Sequence, residues 1–184
     1  MGYTYSHQEI DANSLKQYAV VIYVPEQLER FVVPLRERFD PDYDIVGAHI
    51  TLVFPWESTL PVSDFAGVIA NEVRQLSPLT VKLESVGDFY PETPIIYWRV
   101  VPNDELINLY RQLHVQLDQP LPFKDFIPHV TVAKEISPHR VMLVKDQIAS
   151  HLPSESFEVS AIDLISPVAD HNWVSVRTFP IASD

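Results

Sequence analysis

Pro128-His129-Val130-Thr131-Val132-Ala133-Lys134 and, earlier in the chain, His49-Ile50-Thr51-Leu52-Val53-Phe54 share one pattern of His, apolar, Thr, apolar. On a β-strand alternate side chains face the same way. Each copy therefore sets one imidazole and one hydroxyl side by side on one face, with its apolar residues turned into a core. With seven His among 184 residues and as many Thr, chance placement gives roughly 0.3 of a His-x-Thr, and a single copy is weak as a motif. Two copies, each on a strand-like run near the middle of its half, are a different matter.

Outward from the motifs, the chain repeats a plan. Tyr18–Val24 is an apolar, β-branched run and reads as a buried strand. Pro25 opens a helix with Leu28, Phe31, Val32 and Leu35 at helical spacing, ending near Phe39. A loop over 40–47 leads to the first motif strand, 48–54, stopped by Pro55. Ser63 caps a second helix marked by Phe65, Ile69, Val73 and Leu76, and Leu79–Tyr90 follows as a half-wet strand.

The second half repeats the order. Pro94–Val101 is a strand, and Asn103 caps a helix with Leu106, Leu109, Tyr110, Leu113 and Leu117 inward. The second motif strand, 129–133, comes after Pro128, which biases Ile127 to extended geometry. Ser137-Pro138 opens a helix with Val141, Val144 and Ile148 inward, and 157–165 and 173–179 close the chain as strands around a turn at 169–172. The expected fold class is α+β, with two pseudo-symmetric lobes. Each lobe is an antiparallel sheet with helices packed outside, and a central cleft separates the two. The lobes are expected at about 18–92 and 93–184 of a single domain, behind a leader at 1–17.

Composition narrows the function. The net charge of −12 disfavours a protein that grips long nucleic acid by its phosphates, which needs a basic footprint. A small phosphate ester is still compatible, since local donors outweigh a surface field that salt screens over ~8 Å. Cysteine is absent, removing disulfides and thiolate metal sites. No apolar run of ~18 residues and no basic-then-apolar leader stands in the chain, so a cytoplasmic protein away from membranes is expected; a monomer is the default expectation.

The paired motifs resemble the 2H phosphoesterase superfamily, which includes bacterial 2′-5′ RNA ligase-like proteins and cyclic nucleotide phosphodiesterases. The resemblance runs in element order and motif spacing from Tyr18 onward, and the second motif is the closer match. The first has Gly47-Ala48 where a proline commonly precedes the histidine. It implies chemistry without metal or cofactor on 2′,3′-cyclic or 2′-5′ phosphodiester bonds of a small nucleotide or RNA end. It also implies His49 and His129 as catalytic residues and Thr51 and Thr131 as substrate-binding ones. Elementary chemistry agrees. Opening a cyclic phosphate needs a base for water and an acid for the departing oxygen, and histidine, with a pKa near ~6.5, serves as either. Threonine hydroxyls can donate to non-bridging oxygens.

Two rival readings compete with this one: a non-catalytic nucleotide- or protein-binding module on the same fold, and a His-ligated metal hydrolase. The intact quartet speaks against the first. Two histidines with no carboxylate at ligand spacing speak against the second. A lone strand His is ordinarily a half-buried side chain satisfied by one hydrogen bond. Among other residues, Trp56 is a candidate for stacking a nucleobase and Lys134 for neutralising phosphate. Of Tyr97 and Trp98, on opposite faces of their strand, only one can line the cleft. His114 is expected at the surface, and His7, His139, His151 and His171 are read as incidental, capping or solvent-facing. Asp40, Asp42 and Asp44 are expected to form a solvated acidic loop.

Overall fold

The structure is a computed structural model and describes residues 15–122, 125–168 and 171–182. Most of the expected leader, with His7, and the first half of the 169–172 turn lie outside the described residues. In chain order the elements are β1 (Lys16–Tyr23), α1 (Glu26–Phe39), β2 (His49–Ser58), α2 (Val62–Val73), β3 (Thr80–Asp88) and β4 (Ile96–Val100). They continue with α3 (Asp104–Gln116), β5 (His129–Ala133), α4 (Val141–Ala149), β6 (Glu155–Glu158), β7 (Ala161–Pro167) and β8 (Trp173–Pro180). Among the described residues no helix is long and apolar enough to cross a membrane.

The strands form one antiparallel sheet in the order β6-β3-β4-β5-β2-β1-β7-β8. A pseudo-twofold relation runs between β5 and β2 and exchanges β4 with β1 and β3 with β7. The two halves therefore exist, but the sequence boundary near residue 92 does not divide them. The strand after α2, β3, joins β4 of the second half, while β7 returns to β1 of the first. The two expected sheets are joined in turn through Ile50 and Val130, where β2 meets β5. Local periodicity sets which residues of a strand face the core, but not which strand lies alongside.

The expected strand over 157–165 breaks at Val159-Ser160, and its two pieces go to different parts of the sheet. β6 pairs with β3 and β7 with β1. Six strand spacings of ~4.8 Å would hold them about 29 Å apart in a flat sheet, whereas two linking residues reach only ~10 Å. The sheet must curl.

All four helices cover one face. Leu28, Val32 and Leu35 of α1, Ile69 and Val73 of α2, Leu106 and Leu113 of α3, and Val144 and Ile148 of α4 share one core with Tyr18, Ile22, Ile50, Leu52 and Val130 of the sheet. Asn103 caps α3 as its side chain accepts from the Leu106 N–H at 2.8 Å. Ser63 caps nothing, since α2 begins after Pro61. Ser137-Pro138 opens a short 3₁₀ turn, Pro138–Arg140, before α4 starts. β2 does not stop at Pro55 but runs on to Ser58. Pro55, which has no N–H to give, falls where the β1–β2 register slips between Val20–Val53 and Tyr18–Trp56.

Candidate active site

The face opposite the helices carries the motif side chains. His49, Thr51, His129 and Thr131 are half-buried there, while Ile50, Leu52, Val130 and Val132 between them are fully buried on the other side. The Ile50–Val130 register, continued by one residue each way, sets His49 across from Thr131 and Thr51 across from His129. The histidines occupy one diagonal of this square and the threonines the other. Diagonal β-carbons in such a pair of strands lie about 7–8 Å apart, leaving room for one phosphate between two imidazoles.

Both rings are held in the same way. The Nδ1–H of His49 donates to the Gly47 carbonyl at 2.8 Å, and the Nδ1–H of His129 donates to the Ile127 carbonyl at 2.8 Å. A carbonyl can only accept, so the neutral ring carries its hydrogen on Nδ1 and presents Nε2 with a free lone pair. Desolvation pushes the pKa of His49 down to about 4. The Gly47 bond works against this, and the positive charges of Arg36 and Lys134 and the other histidine add to it. Burial likewise lowers His129, against the pull of its bond to Ile127.

The walls beside the two histidines differ. Phe89 meets the His129 ring edge-on at 5.0 Å and Tyr97 lies 5.1 Å from it, the two aromatic rings themselves 4.4 Å apart. Tyr97 is the member of the Tyr97/Trp98 pair that faces this side; Trp98 is fully buried among the helices. Gly87 is what lets the Tyr97 ring lie across β3, since a β-carbon there would come within 2.4 Å of it. Beside His49 stands Tyr23, edge-on at 6.4 Å, and next to it a pocket that also reaches Thr51, Lys134 and Trp173.

Several other residues sit where the sequence reading did not put them. Trp56 is buried at 8% exposure on the helix side, packed against Tyr18 and Phe65, and cannot stack a ligand in the cleft. His114 is buried, not at the surface, with Tyr110 at 4.6 Å. Asp40 and Asp42 are not simply solvated. Asp40 is buried against Arg36 at 2.9 Å, and Asp42 pairs with Lys134 at 2.6 Å, so Lys134 reaches the cleft already partnered. Arg36, which no sequence pattern marked, also donates to the carbonyls of Val46 and Asp42 and so braces the loop that delivers His49. Trp173 was likewise missed. Among the described residues no three His, Cys, Asp or Glu side chains gather as metal ligands would.

Comparison with known proteins gives a consistent picture. A family model described as the 2′-5′ RNA ligase superfamily matches residues 24–171. The chain is 30% identical to a candidate phosphoesterase of Geobacillus kaustophilus over 169 residues, covering 89% of this chain and 95% of that one. The fold is similar to that of Escherichia coli LigT solved with 3′-AMP (TM-score 0.65, 16% identity, 92% of this chain and 100% of the other). It is also similar to LigT solved with ATP (TM-score 0.64, 18% identity, 92% and 99%).

Proposed function

Because this chain belongs to the 2′-5′ RNA ligase superfamily, we propose that it is a metal-independent phosphoesterase acting on 2′,3′-cyclic or 2′-5′ phosphodiester bonds of a small nucleotide or RNA end. The observation that carries this reading is the shared tautomer of two diagonal histidines, each tied through Nδ1 to a carbonyl two residues before it. One imidazole takes a proton from water while the other, as imidazolium, gives one to the departing ribose oxygen. Their separation suits attack and departure on opposite sides of phosphorus. Thr51 and Thr131, on the other diagonal, donate in this reading to the non-bridging oxygens, where negative charge gathers in the transition state.

The low histidine pKa values belong to the same argument. An empty cleft keeps both rings neutral near pH 7. A bound phosphodiester anion opposes that tendency and draws one proton onto the pair, since an opposite charge within ~4–6 Å favours the imidazolium. The 3′-AMP and ATP with which LigT was solved are compatible with a substrate of this size. The test is turnover of 2′,3′-cyclic mononucleotides in the presence of EDTA. Hydrolysis to a single phosphate isomer is expected. Turnover that disappears with EDTA and returns with a divalent cation would refute the metal-independent reading.

A further inference from the structure

We infer that Tyr23 is a positioning residue for His49, its ring taking the place of a proline that the first motif lacks; the role is one within the function proposed above. The two motifs hold their imidazoles by the same bond, from Nδ1 to a carbonyl two residues earlier. That carbonyl must itself be held. Before His129 the chain does this locally, because Pro128 confines Ile127 to extended backbone. Before His49 the same two places are Gly47 and Ala48. Glycine is the least restrained of residues, and a following alanine sets no such limit on it. The Gly47 carbonyl therefore needs support from elsewhere in the fold.

Ala48 and Pro128 are otherwise equivalent. The Ala48 carbonyl accepts from the Val24 N–H at 2.8 Å, and the Pro128 carbonyl accepts from the Val100 N–H at 3.2 Å. One residue before those donors stand Tyr23, across from His49, and Arg99, across from His129. The pseudo-twofold relation thus makes Arg99 the counterpart of Tyr23, and the two differ. Arg99 is exposed. Tyr23 is half-buried, with its ring so close to Gly47 that a β-carbon there would lie 3.3 Å from it. The same ring meets His49 edge-on at 6.4 Å and so borders both ends of the Nδ1 bond.

The ring is fixed in its turn. With Val46 it packs on a small apolar cluster of Ala19, Val21 and Ile165, separate from the main core. Its hydroxyl meets the Ser175 side chain near the Asp163 carboxylate, which is buried and accepts from the Thr178 hydroxyl at 2.6 Å. Tyr23 therefore ties Gly47 to β7 and β8. Without its ring the Gly47 carbonyl is free to turn, the Nδ1 hydrogen loses a fixed acceptor, and Nε2 loses its aim at phosphorus. The experiment compares the intact parent with Tyr23→Leu, Tyr23→Phe, Ala48→Pro and Tyr23→Leu combined with Ala48→Pro, each checked for folding by circular dichroism. Two things are read: the nitrogen-15 shifts of the histidine rings in the free protein near pH 7.5, and kcat and KM for 2′,3′-cyclic AMP.

Tyr23→Leu should move His49 from the Nδ1–H form to a mixture with the Nε2–H form, while His129 keeps its tautomer. Its kcat should fall about 10- to 100-fold with KM held within a few-fold, as a misaimed catalytic group gives. Tyr23→Phe keeps the ring and should stay close to the parent in both readings. Ala48→Pro should change the parent little, yet return the Nδ1–H form and most of kcat to Tyr23→Leu. A His49 tautomer as uniform in Tyr23→Leu as in the parent overturns the inference, and so does a loss that a folded Ala48→Pro double variant does not relieve. Absence of turnover on the cyclic ester would instead strike the proposed activity, and a tautomer shift in Tyr23→Leu that Ala48→Pro reverses would still establish the role of Tyr23.

Discussion

Replacing Arg36 by methionine removes the cation from a pair that solvent scarcely reaches: the two side chains are 5% and 0% exposed and 2.9 Å apart. Asp40 would keep only the Asp42 N–H at 3.1 Å as a partner. The carbonyl of Val46 would lose its 2.8 Å donor. Breaking such a buried pair from one side costs about 3–5 kcal/mol, because a charge is left without compensation. For a domain of this size each kcal/mol moves the melting temperature by about 2–4 °C, so a fall of about 6–20 °C is expected. The loop that loosens leads into Gly47, whose carbonyl holds the His49 ring, and kcat should fall with it, on the order of 10²-fold. Urea unfolding of Arg36→Met, Asp40→Asn and the double variant reads the stability directly. The double variant, with no unpaired charge, should be more stable than Arg36→Met alone. A cost below 1 kcal/mol for Arg36→Met, or a double variant as unstable as the two single losses added together, would refute this account of the loop.

Three further outcomes follow from the site. In the proposed mechanism the active form of the pair carries one proton, and burial holds the free-protein pKa of His49 at about 4 and that of His129 below the ordinary 6.5. The pH profile of kcat/KM should therefore peak below pH 6.5 and fall toward pH 8 as the pair loses that proton. Gly87→Ala puts a β-carbon within 2.4–2.6 Å of the Tyr97 ring. Overpacking of this kind costs about 1–3 kcal/mol, and because Tyr97 packs on His129 the variant should lose activity as well as melt earlier. His114 is buried without a hydrogen bond of good geometry to either ring nitrogen. Desolvation holds its pKa below the usual value, against the backbone of Gln119, Pro120 and Leu52. Below pH 6.5 the unfolded chain takes up the proton more readily than the folded one, so stability falls there and levels off beneath the folded pKa. His114→Leu should therefore lose less stability than the parent between pH 7.5 and 5, read from urea midpoints.

Much of this architecture is written in short-range pattern. The His-x-Thr alternation places all four motif side chains on one face, and Asn103 marks the start of α3 by the bond its side chain makes. His114 was legible too: it stands four residues after Tyr110 and eight after Leu106, on the same buried stripe, but its polarity argued for water. What local pattern does not carry is partnership between distant strands. The exchange of β3 and β7 between halves depends on which edges meet when the sheet curls. The same holds for Trp56 and Trp173. A one-residue slip near Pro55 leaves Trp56 paired with Tyr18 and packed among the helices, while β8 brings Trp173 from the far end of the chain to the mouth of the cleft. Arg36 lies on a helix that looks amphipathic without it, and its role appears only when the loop beyond folds back over its guanidinium.

The measurement that tests the paired-histidine claim most directly is a double-mutant cycle on 2′,3′-cyclic AMP hydrolysis with His49→Ala, His129→Ala and the two combined. Acid and base act in one transition state, so each single variant should lose about 10²–10⁴-fold in kcat, and the double little more than either. Losses below tenfold in the single variants, or losses that simply multiply in the double, would contradict a mechanism in which the two imidazoles share one proton across one phosphate.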